Sequence, residues 1–400
     1  MQNIELTELQ TFATGLAALA LGRELCRRVH VLERLDIPTP VVGGVLIALG
    51  VAALRRFADI EILFAAKLSD FLLLMFFTAV GLSAKLSALK AGGVPLIILC
   101  SVTVFMIVAQ NIIGVLIASA YGAHPYYGLL VGSISLVGGP GTAAAWANEA
   151  QAMGLAAAPE VAVAGATLAV IAGAIVAGPL TGWLVRRHGL RGSTAPSDAP
   201  WLDPQIAARS AAPPIEQAMS TMLLMVVAVL IGDALNGWAK ASGLVLPGFL
   251  TAMLGGVLIT NLADGSGANL DFGPIERNGE MALQAFLAMY LMSLKLWAIG
   301  VVIVPLAVNV VLQIAITTLV AFFVLFRLLG RDYDAALTAG GFIGFGLSSM
   351  AVGMATMDKL AGRYGPSPKA FLLITLAGSF FVDLANAFIV QAFLTLPMFH

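Results

Sequence analysis

Long apolar segments separated by short polar ones run along the whole chain. Residues 91–123, 161–185, 217–231 and 296–326 contain no Lys, Arg, Asp or Glu. Because about 20 apolar residues suffice for a helix to cross a bilayer, we expect ten spans: 9–29, 37–54, 68–84, 94–120, 161–185, 217–239, 243–263, 279–298, 301–326 and 369–396. The pattern predicts an all-α polytopic membrane protein.

Composition supports the membrane assignment and excludes the common enzyme classes. Hydrophobic residues make up 60% of the chain and charged residues 11%, and the mean hydropathy is +0.95. Soluble domains contain about 25% charged residues. The sequence has no nucleophile and base pair, no phosphate-binding loop and no metal-binding spacing of its two cysteines. We therefore predict neither an enzyme nor a bound cofactor.

The second half of the chain repeats the first. Residues 70–86 align with residues 280–296, with an acid, Phe, Lys and Leu in register. Five spans in each half would give the halves opposite orientations, and sixteen of the 21 Lys and Arg residues then lie on one side. Basic residues concentrate on the cytoplasmic side, so we expect both termini outside, in the periplasm of a bacterial inner membrane. The predicted units are a first inverted repeat at 1–187, a cytoplasmic linker at 188–216 and a second inverted repeat at 217–400.

Two glycine-rich segments do not fit a simple span. They cover 126–146 and 333–357, and each lies between the fourth and fifth span of its half. Glycine and proline destabilise helix interiors, and irregular backbone at membrane depth occurs only where protein or a wet cavity surrounds it. We expect each segment to be a re-entrant hairpin, with the two tips meeting near the midplane. The alternative is that the glycines only allow helices to pack closely.

The last span carries polar residues on one predicted face. Thr375, Ser379, Asp383 and Asn386 are spaced four, four and three residues apart, which places them on one side of an α-helix. Carboxylate and hydroxyl oxygens are suitable ligands for a small hard cation. Thr375, Ser379 and Asp383 are therefore candidate sodium ligands, and the alternative is a set of hydrogen bonds between helices.

Several of these segments resemble those of a known family, the bacterial sodium-dependent glutamate symporters. The similarity extends over almost the whole chain and rests on Ile37–Gly44, Gly138–Trp146, Lys295–Trp297, Tyr333–Ala336, Gly344–Leu347, Arg363–Ser367 and Phe380–Ala387. The resemblance implies a ten-span, homodimeric carrier that moves L-glutamate with Na⁺ by alternating access, in an elevator-like manner. It places the hairpins in the translocation pathway, with substrate-binding candidates Gly138, Gly139, Gly141, Thr142, Gly344, Phe345, Gly346, Ser348, Ser349 and Asn386.

Both hairpin tips depart from the family pattern. Val137 and Pro140 stand where the family has Ser and His, and Ser348–Val352 replaces a run that contains Thr and Pro. Another small anionic amino acid therefore remains open as the substrate. Two other functions also stay open on the residues alone: a sodium/proton antiporter, and the membrane subunit of a sodium-translocating decarboxylase complex.

Overall fold

The chain folds almost entirely into helices. The computed structural model describes residues 2–29, 32, 37–192, 215–242, 246–267, 270–295 and 303–399. The helices of the first half are α1 Glu8–Arg28, α2 Thr39–Ala58, α3 Lys67–Leu82, α4 Gly93–Ala120, α5 Pro125–Leu129, α6 Gly139–Ala152 and α7 Ala158–Arg187. Those of the second half are α8 Ile215–Ala241, α9 Gly248–Gly265, α10 Phe272–Met292, α11 Ile303–Leu319, α12 Tyr333–Leu347, α13 Met350–Tyr364, α14 Pro368–Leu376 and α15 Val382–Leu394.

Three π-helical segments extend or join these helices. They are Leu130–Ile134 after α5, Val320–Leu325 after α11 and Ala377–Phe381 between α14 and α15. A further helical turn, Phe326–Leu328, follows the second of them, and 3₁₀ turns occupy Leu86–Gly92 and Pro397–Phe399. Such wide turns are frequent at functional sites.

A short sheet is the exception to the predicted all-α fold. Strands β1 (Gln2–Glu5) and β2 (Ile60–Leu63) pair in parallel, with Gln2 opposite Ile60 and Glu5 opposite Leu63. Strand β2 alternates Ile with Glu and Leu, a pattern compatible with a strand, whereas β1 has a single Ile among polar residues. The two strands have only four residues each, so the sequence prediction, which followed long apolar segments, did not include them.

Six helices within the described residues are long and apolar enough to cross a membrane by themselves. They are Thr39–Ala58, Gly93–Ala120, Ala158–Arg187, Met219–Ala241, Gly248–Gly265 and Val304–Leu328. The other four predicted spans are also largely helical in the described residues, but α3 has only 16 residues and a π-helical segment divides the last span. The predicted linker 188–216 lies mostly outside the described residues.

The helices pack as two groups. We call α1–α3 with α8–α10 the panel group, in which α3 packs on α9 and α10, and α10 packs on α2 and α1. We call α4–α7 with α11–α15 the hairpin group, in which α12 packs on α13 and α7, and α6 packs on α7. An apolar core that includes Phe77, Trp146 and Phe286 joins the two groups.

Candidate functional site

The first glycine-rich segment folds as two helical arms. The first arm runs from Pro125 through Ile134, and the chain then breaks before α6 begins at Gly139. Gly139 has φ of +67°, a conformation that favours glycine, and Pro140 follows at a helix start, where its fixed φ is accommodated. The second arm ends at Ala152, six residues after the predicted end at 146. The prediction followed the apolar run, whereas Ala147–Ala152 contains several polar side chains and is still helical.

The second glycine-rich segment has the same two-arm plan. Helix α12 ends at Leu347, Ser348 and Ser349 have non-helical backbone, and α13 begins at Met350. The arms approach so closely that a Cβ at Gly344 would collide with the backbone of Gly353. Helix α13 continues to Tyr364, beyond the predicted end at 357, and its last turns carry charged residues that the glycine pattern did not include.

The two tips touch each other. A Cβ built on Gly139 would lie 3.1 Å from the carbonyl oxygen of Ser348 and 3.6 Å from the Cβ of Ser349. Backbone from both halves of the chain therefore converges at one point. Any larger residue at position 139 would press on the second tip.

A cavity of about 470 Å³ opens beside the touching tips. Its walls come from both tips, from α3 and α10 of the panel group, and from the last helix of the hairpin group. Its lining includes Pro38–Pro40, Phe76, Val137–Gly141, Glu280, Leu283, Gln284, Leu287, Phe345, Ser349, Met350, Gly378, Val382 and Asp383. The volume lies within the usual range for small-molecule sites, which is roughly 300–1,000 Å³.

Two helix N-termini face this cavity. Helices α6 and α13 begin at Gly139 and Met350, which both line it. Neither helix has a side-chain hydrogen bond that caps its first turn. The free N–H groups and the positive end of each helix dipole make such termini binding sites for anionic groups.

Two carboxylates line the same cavity. Asp383 is half-buried and makes no hydrogen bond or ion pair within the described residues. The exposed Glu280 accepts a hydrogen bond from Gln284 at 3.1 Å. A carboxylate without a partner at membrane depth is costly unless a cation or substrate compensates it. The site can therefore bind a cation together with anionic groups.

The π-helical turn Ala377–Phe381 determines how the last helix faces the cavity. It places Gly378, Val382 and Asp383 together on the cavity wall. A π-helix has more residues per turn than an α-helix, so residues on either side of the turn lose the α-helical register that the sequence prediction assumed.

This change of register separates the four residues predicted to share one face. Thr375 Oγ1 lies 3.9 Å from the sulfur of Met354. Asn386 is buried, accepts a hydrogen bond from Ser133 Oγ at 2.6 Å, and donates one to the carbonyl of Ser133 at 3.3 Å. Asp383 alone of the three lines the cavity. The side chain of the fourth, Ser379, lies outside the described part of the chain.

The predicted hairpin residues divide in the same way. Gly138, Gly139, Gly141, Phe345 and Ser349 line the cavity. The remaining four pack behind it, and all are buried: Thr142 against Gly138, Gly344 against Gly353, Gly346 against Thr317, and Ser348 against Gly173.

Two adjacent amide side chains of α4 contact the glycine-rich segments. Gln110 Nε2 donates to the carbonyl oxygen of Gly346 at 2.8 Å. Asn111 Oδ1 accepts a hydrogen bond from the backbone N–H of Ser133 at 3.1 Å and lies 2.8 Å from the Ser133 hydroxyl oxygen. Adjacent amides of one helix therefore hold both glycine-rich segments. A polar pair in the middle of an uncharged span was the available signal.

Thirteen residues of the cavity wall were not among the candidates, and four of them stand out: Glu280, Gln284, Met350 and Gly378. The alignment of Asp70 with Glu280 in the internal repeat marked Glu280 but gave it no function. The remaining three carry no signal in the sequence, because their positions depend on how α10, α13 and the π-helical turn pack.

Comparison with known proteins identifies the family. The sequence profile of the sodium/glutamate symporter family matches residues 4–366. The chain is 35% identical to the sodium/glutamate symporter of Haemophilus influenzae over 390 residues, which cover 94% of this chain and 95% of that protein. It is 36% identical to the sodium/glutamate symporter of Escherichia coli K12 over 402 residues, which cover 98% and 99%. The solved structure of the sodium proton antiporter MjNhaP1 from Methanocaldococcus jannaschii is similar at a TM-score of 0.42, with 14% identity and 97% coverage of both chains. The chain belongs to the sodium/glutamate symporter family.

Proposed function

We propose that this protein is a secondary active transporter that takes up L-glutamate, or a similar small anionic amino acid, together with Na⁺. Membership of the sodium/glutamate symporter family makes it a transporter rather than an enzyme. The observation that carries the proposal is the cavity beside the two tips, where two helix N-termini and the carboxylate of Asp383 meet.

The chemistry of this cavity matches that of an acidic amino acid. L-Glutamate carries two carboxylates and one ammonium group. The first-turn N–H groups of α6 and α13 are donors for the carboxylates, and Glu280 or Asp383 is an acceptor for the ammonium group. Phe76, Leu283 and Phe345 supply apolar walls for the methylene groups of the substrate.

Asp383 is the proposed centre of the sodium site. Its carboxylate lies on the same cavity wall as the substrate donors, and hard oxygen ligands suit Na⁺. A cation beside Asp383 would offset the negative charge of both the carboxylate and the substrate. Binding of one would then favour binding of the other, which is a reciprocal coupling.

The two packing groups are compatible with alternating access. We propose that the halves 1–187 and 217–400 are inverted repeats, that both glycine-rich segments are re-entrant hairpins, and that the hairpin group moves against the panel group in an elevator-like manner. The alignment of residues 70–86 with 280–296 and the glycine-rich two-arm segment in each half support the repeat, and transporter repeats of this kind place substrate where they meet. The family resemblance implies a homodimer in the bacterial inner membrane.

Cysteine labelling tests the inverted topology. The chain has two cysteines, Cys26 and Cys100, which are first replaced with alanine. Single cysteines are then introduced at the exposed positions Asn3 and His188. A membrane-impermeant thiol reagent should label the Asn3→Cys variant in intact cells and the His188→Cys variant only after the membrane is opened. Labelling of both from the same side would contradict the inverted repeat.

Counterflow in proteoliposomes that contain only this chain tests the transport function. Vesicles loaded with unlabelled L-glutamate should accumulate labelled L-glutamate from outside when Na⁺ is present, and should not do so with choline in its place. Dissipation of a pH gradient by Na⁺ without glutamate exchange would instead indicate an antiporter. The absence of both activities in a folded protein would favour a subunit that needs soluble partners.

A further inference from the structure

A second cavity lies at the far ends of the helices that line the first. Its volume is about 140 Å³. It is bounded by the start of α3, the end of α6, the start of α7 and the end of α10, and its polar lining includes Ser69, Asp70, Asn148, Glu160, Tyr290 and Ser293. The distribution of basic residues predicts that this end faces outside.

Glu160 contributes a buried carboxylate oxygen that lacks a donor. The residue is 3% exposed. Its Oε1 accepts a hydrogen bond from the backbone N–H of Lys295 at 2.7 Å, which fixes the orientation of the carboxylate. Its Oε2 has no hydrogen-bond partner among the described residues, and neither has the hydroxyl of the buried Tyr290 on the same wall. An unpaired carboxylate oxygen in the protein interior is strongly unfavourable without a compensating charge.

The donor set around Glu160 is that of a small hard cation. Asp70 and Glu160 supply carboxylates, while Ser69, Ser293 and Asn148 supply neutral oxygens. Lys295 also lines the cavity, where its backbone N–H contacts Glu160, and its side chain is exposed. Asp70 is exposed, so the single buried negative charge is that of Glu160, which matches a monovalent ion better than a divalent one.

We propose that this cavity is a second Na⁺ site, separate from the one at Asp383. Its ligands come from both packing groups, since Glu160 begins α7 of the hairpin group and Asp70, Tyr290 and Ser293 belong to the α3 and α10 region of the panel group. A bound ion therefore connects the two groups in the arrangement seen here and stabilises it. If the hairpin group slides as proposed above, the ligands separate and the site releases its ion.

Sodium-dependent thermal unfolding of the purified full chain in detergent tests this proposal. NaCl is varied against choline chloride at constant ionic strength, with KCl as a second comparison, and the unfolding midpoint is measured. A ligand that binds the folded state raises the midpoint with its concentration. The proteins are the wild type, Asp383→Asn, Glu160→Gln and the double variant. Glu149→Gln on α6 is the matched control, because Glu149 is a half-buried carboxylate outside the cavity lining.

We expect the Asp383→Asn variant to keep a Na⁺-dependent rise in its midpoint that K⁺ does not reproduce. Adding Glu160→Gln should raise the Na⁺ concentration for half of that rise by at least about tenfold, whereas Glu149→Gln should leave it unchanged. Because Asp70 is exposed, Asp70→Asn in the Asp383→Asn background tests the same site with little risk to folding. It should shift the Na⁺ dependence in the same direction.

Identical Na⁺ curves for Asp383→Asn and for both of its derivatives would overturn the second site and assign the cavity to water. Loss of all Na⁺ stabilisation in Asp383→Asn alone would also overturn it. Failure of the proposed sodium site at Asp383 gives a different result. The Na⁺ dependence of the unfolding midpoint in Asp383→Asn would then match that of the wild type, and the Glu160 and Asp70 variants would still test the second site.

Discussion

The two glycine-rich segments share a plan but differ in how their tips are built and what the arms pack against. The first tip turns at Gly139 with positive φ, whereas Ser348 and Ser349 make the second turn with non-helical backbone of negative φ. Gly141 of the first segment lies against Leu283 of the panel group. The second segment packs on α7, within its own group. The first tip is therefore a contact surface between the groups, and the second belongs to the body of one group.

Both glycine-rich segments are nevertheless held by the same helix, α4. Asn111 holds the first segment through Ser133, and Gln110 holds the second through the carbonyl of Gly346. The donor, Gln110 Nε2, and the acceptor, Asn111 Oδ1, belong to consecutive residues of α4. One helix therefore couples the positions of both tips, although the tips face different surroundings.

Substitution at the first tip should have the largest effect. Gly139→Ala places a side chain at positive φ, which costs roughly 1–2 kcal/mol, and pushes its Cβ to 3.1 Å from Ser348 O. Uptake of labelled glutamate in proteoliposomes should fall by about tenfold or more. Gly346→Ala is the matched control, because its Cβ would meet only a methyl group of Thr317 at 3.3 Å. Equal losses in the two variants would contradict the assigned difference between the tips.

Removing the amides of α4 should have intermediate effects of unequal size. Asn111→Ala leaves the buried N–H of Ser133 without an acceptor, and we expect a loss of roughly 1–3 kcal/mol in unfolding free energy. Gln110→Ala leaves only a carbonyl oxygen unpaired, and under-satisfied carbonyls are tolerated more readily. Thermal unfolding of the purified variants in detergent measures both. A larger loss of unfolding free energy in Gln110→Ala than in Asn111→Ala would contradict this expectation.

Thr375→Val should have the smallest effect. The π-helical turn keeps Thr375 on Met354 and away from the cavity wall, and the change conserves the shape of the side chain. We expect the Na⁺ concentration for half-maximal uptake to change by less than about twofold, since no ligand is lost. A large rise in that concentration would restore Thr375 to the sodium site and would mean that the turn rearranges during transport.

The helical segments could be predicted from the sequence because hydrophobic periodicity and glycine position are local signals. The ten helical segments and a break within each glycine-rich segment follow from such signals. The wall of the cavity did not follow, because Thr375 and Asn386 leave it through a π-helical turn that spacing alone cannot reveal. Glu280 and Met350 reach it through packing between the halves. Glu160 was missed because a single acid at a helix start usually stabilises the helix dipole.

Sodium dependence of uptake by Asp383→Asn tests the central claim most directly. The substitution keeps the size of the side chain and removes the charge from the cavity wall. Initial rates of labelled L-glutamate uptake are measured in proteoliposomes against external Na⁺, with Glu149→Gln as a carboxylate control outside the cavity. We predict that Asp383→Asn raises the Na⁺ concentration for half-maximal uptake by about tenfold or more, or stops uptake in a protein that inserts normally. Unchanged sodium dependence in Asp383→Asn would contradict the assignment of the coupling ion to this cavity.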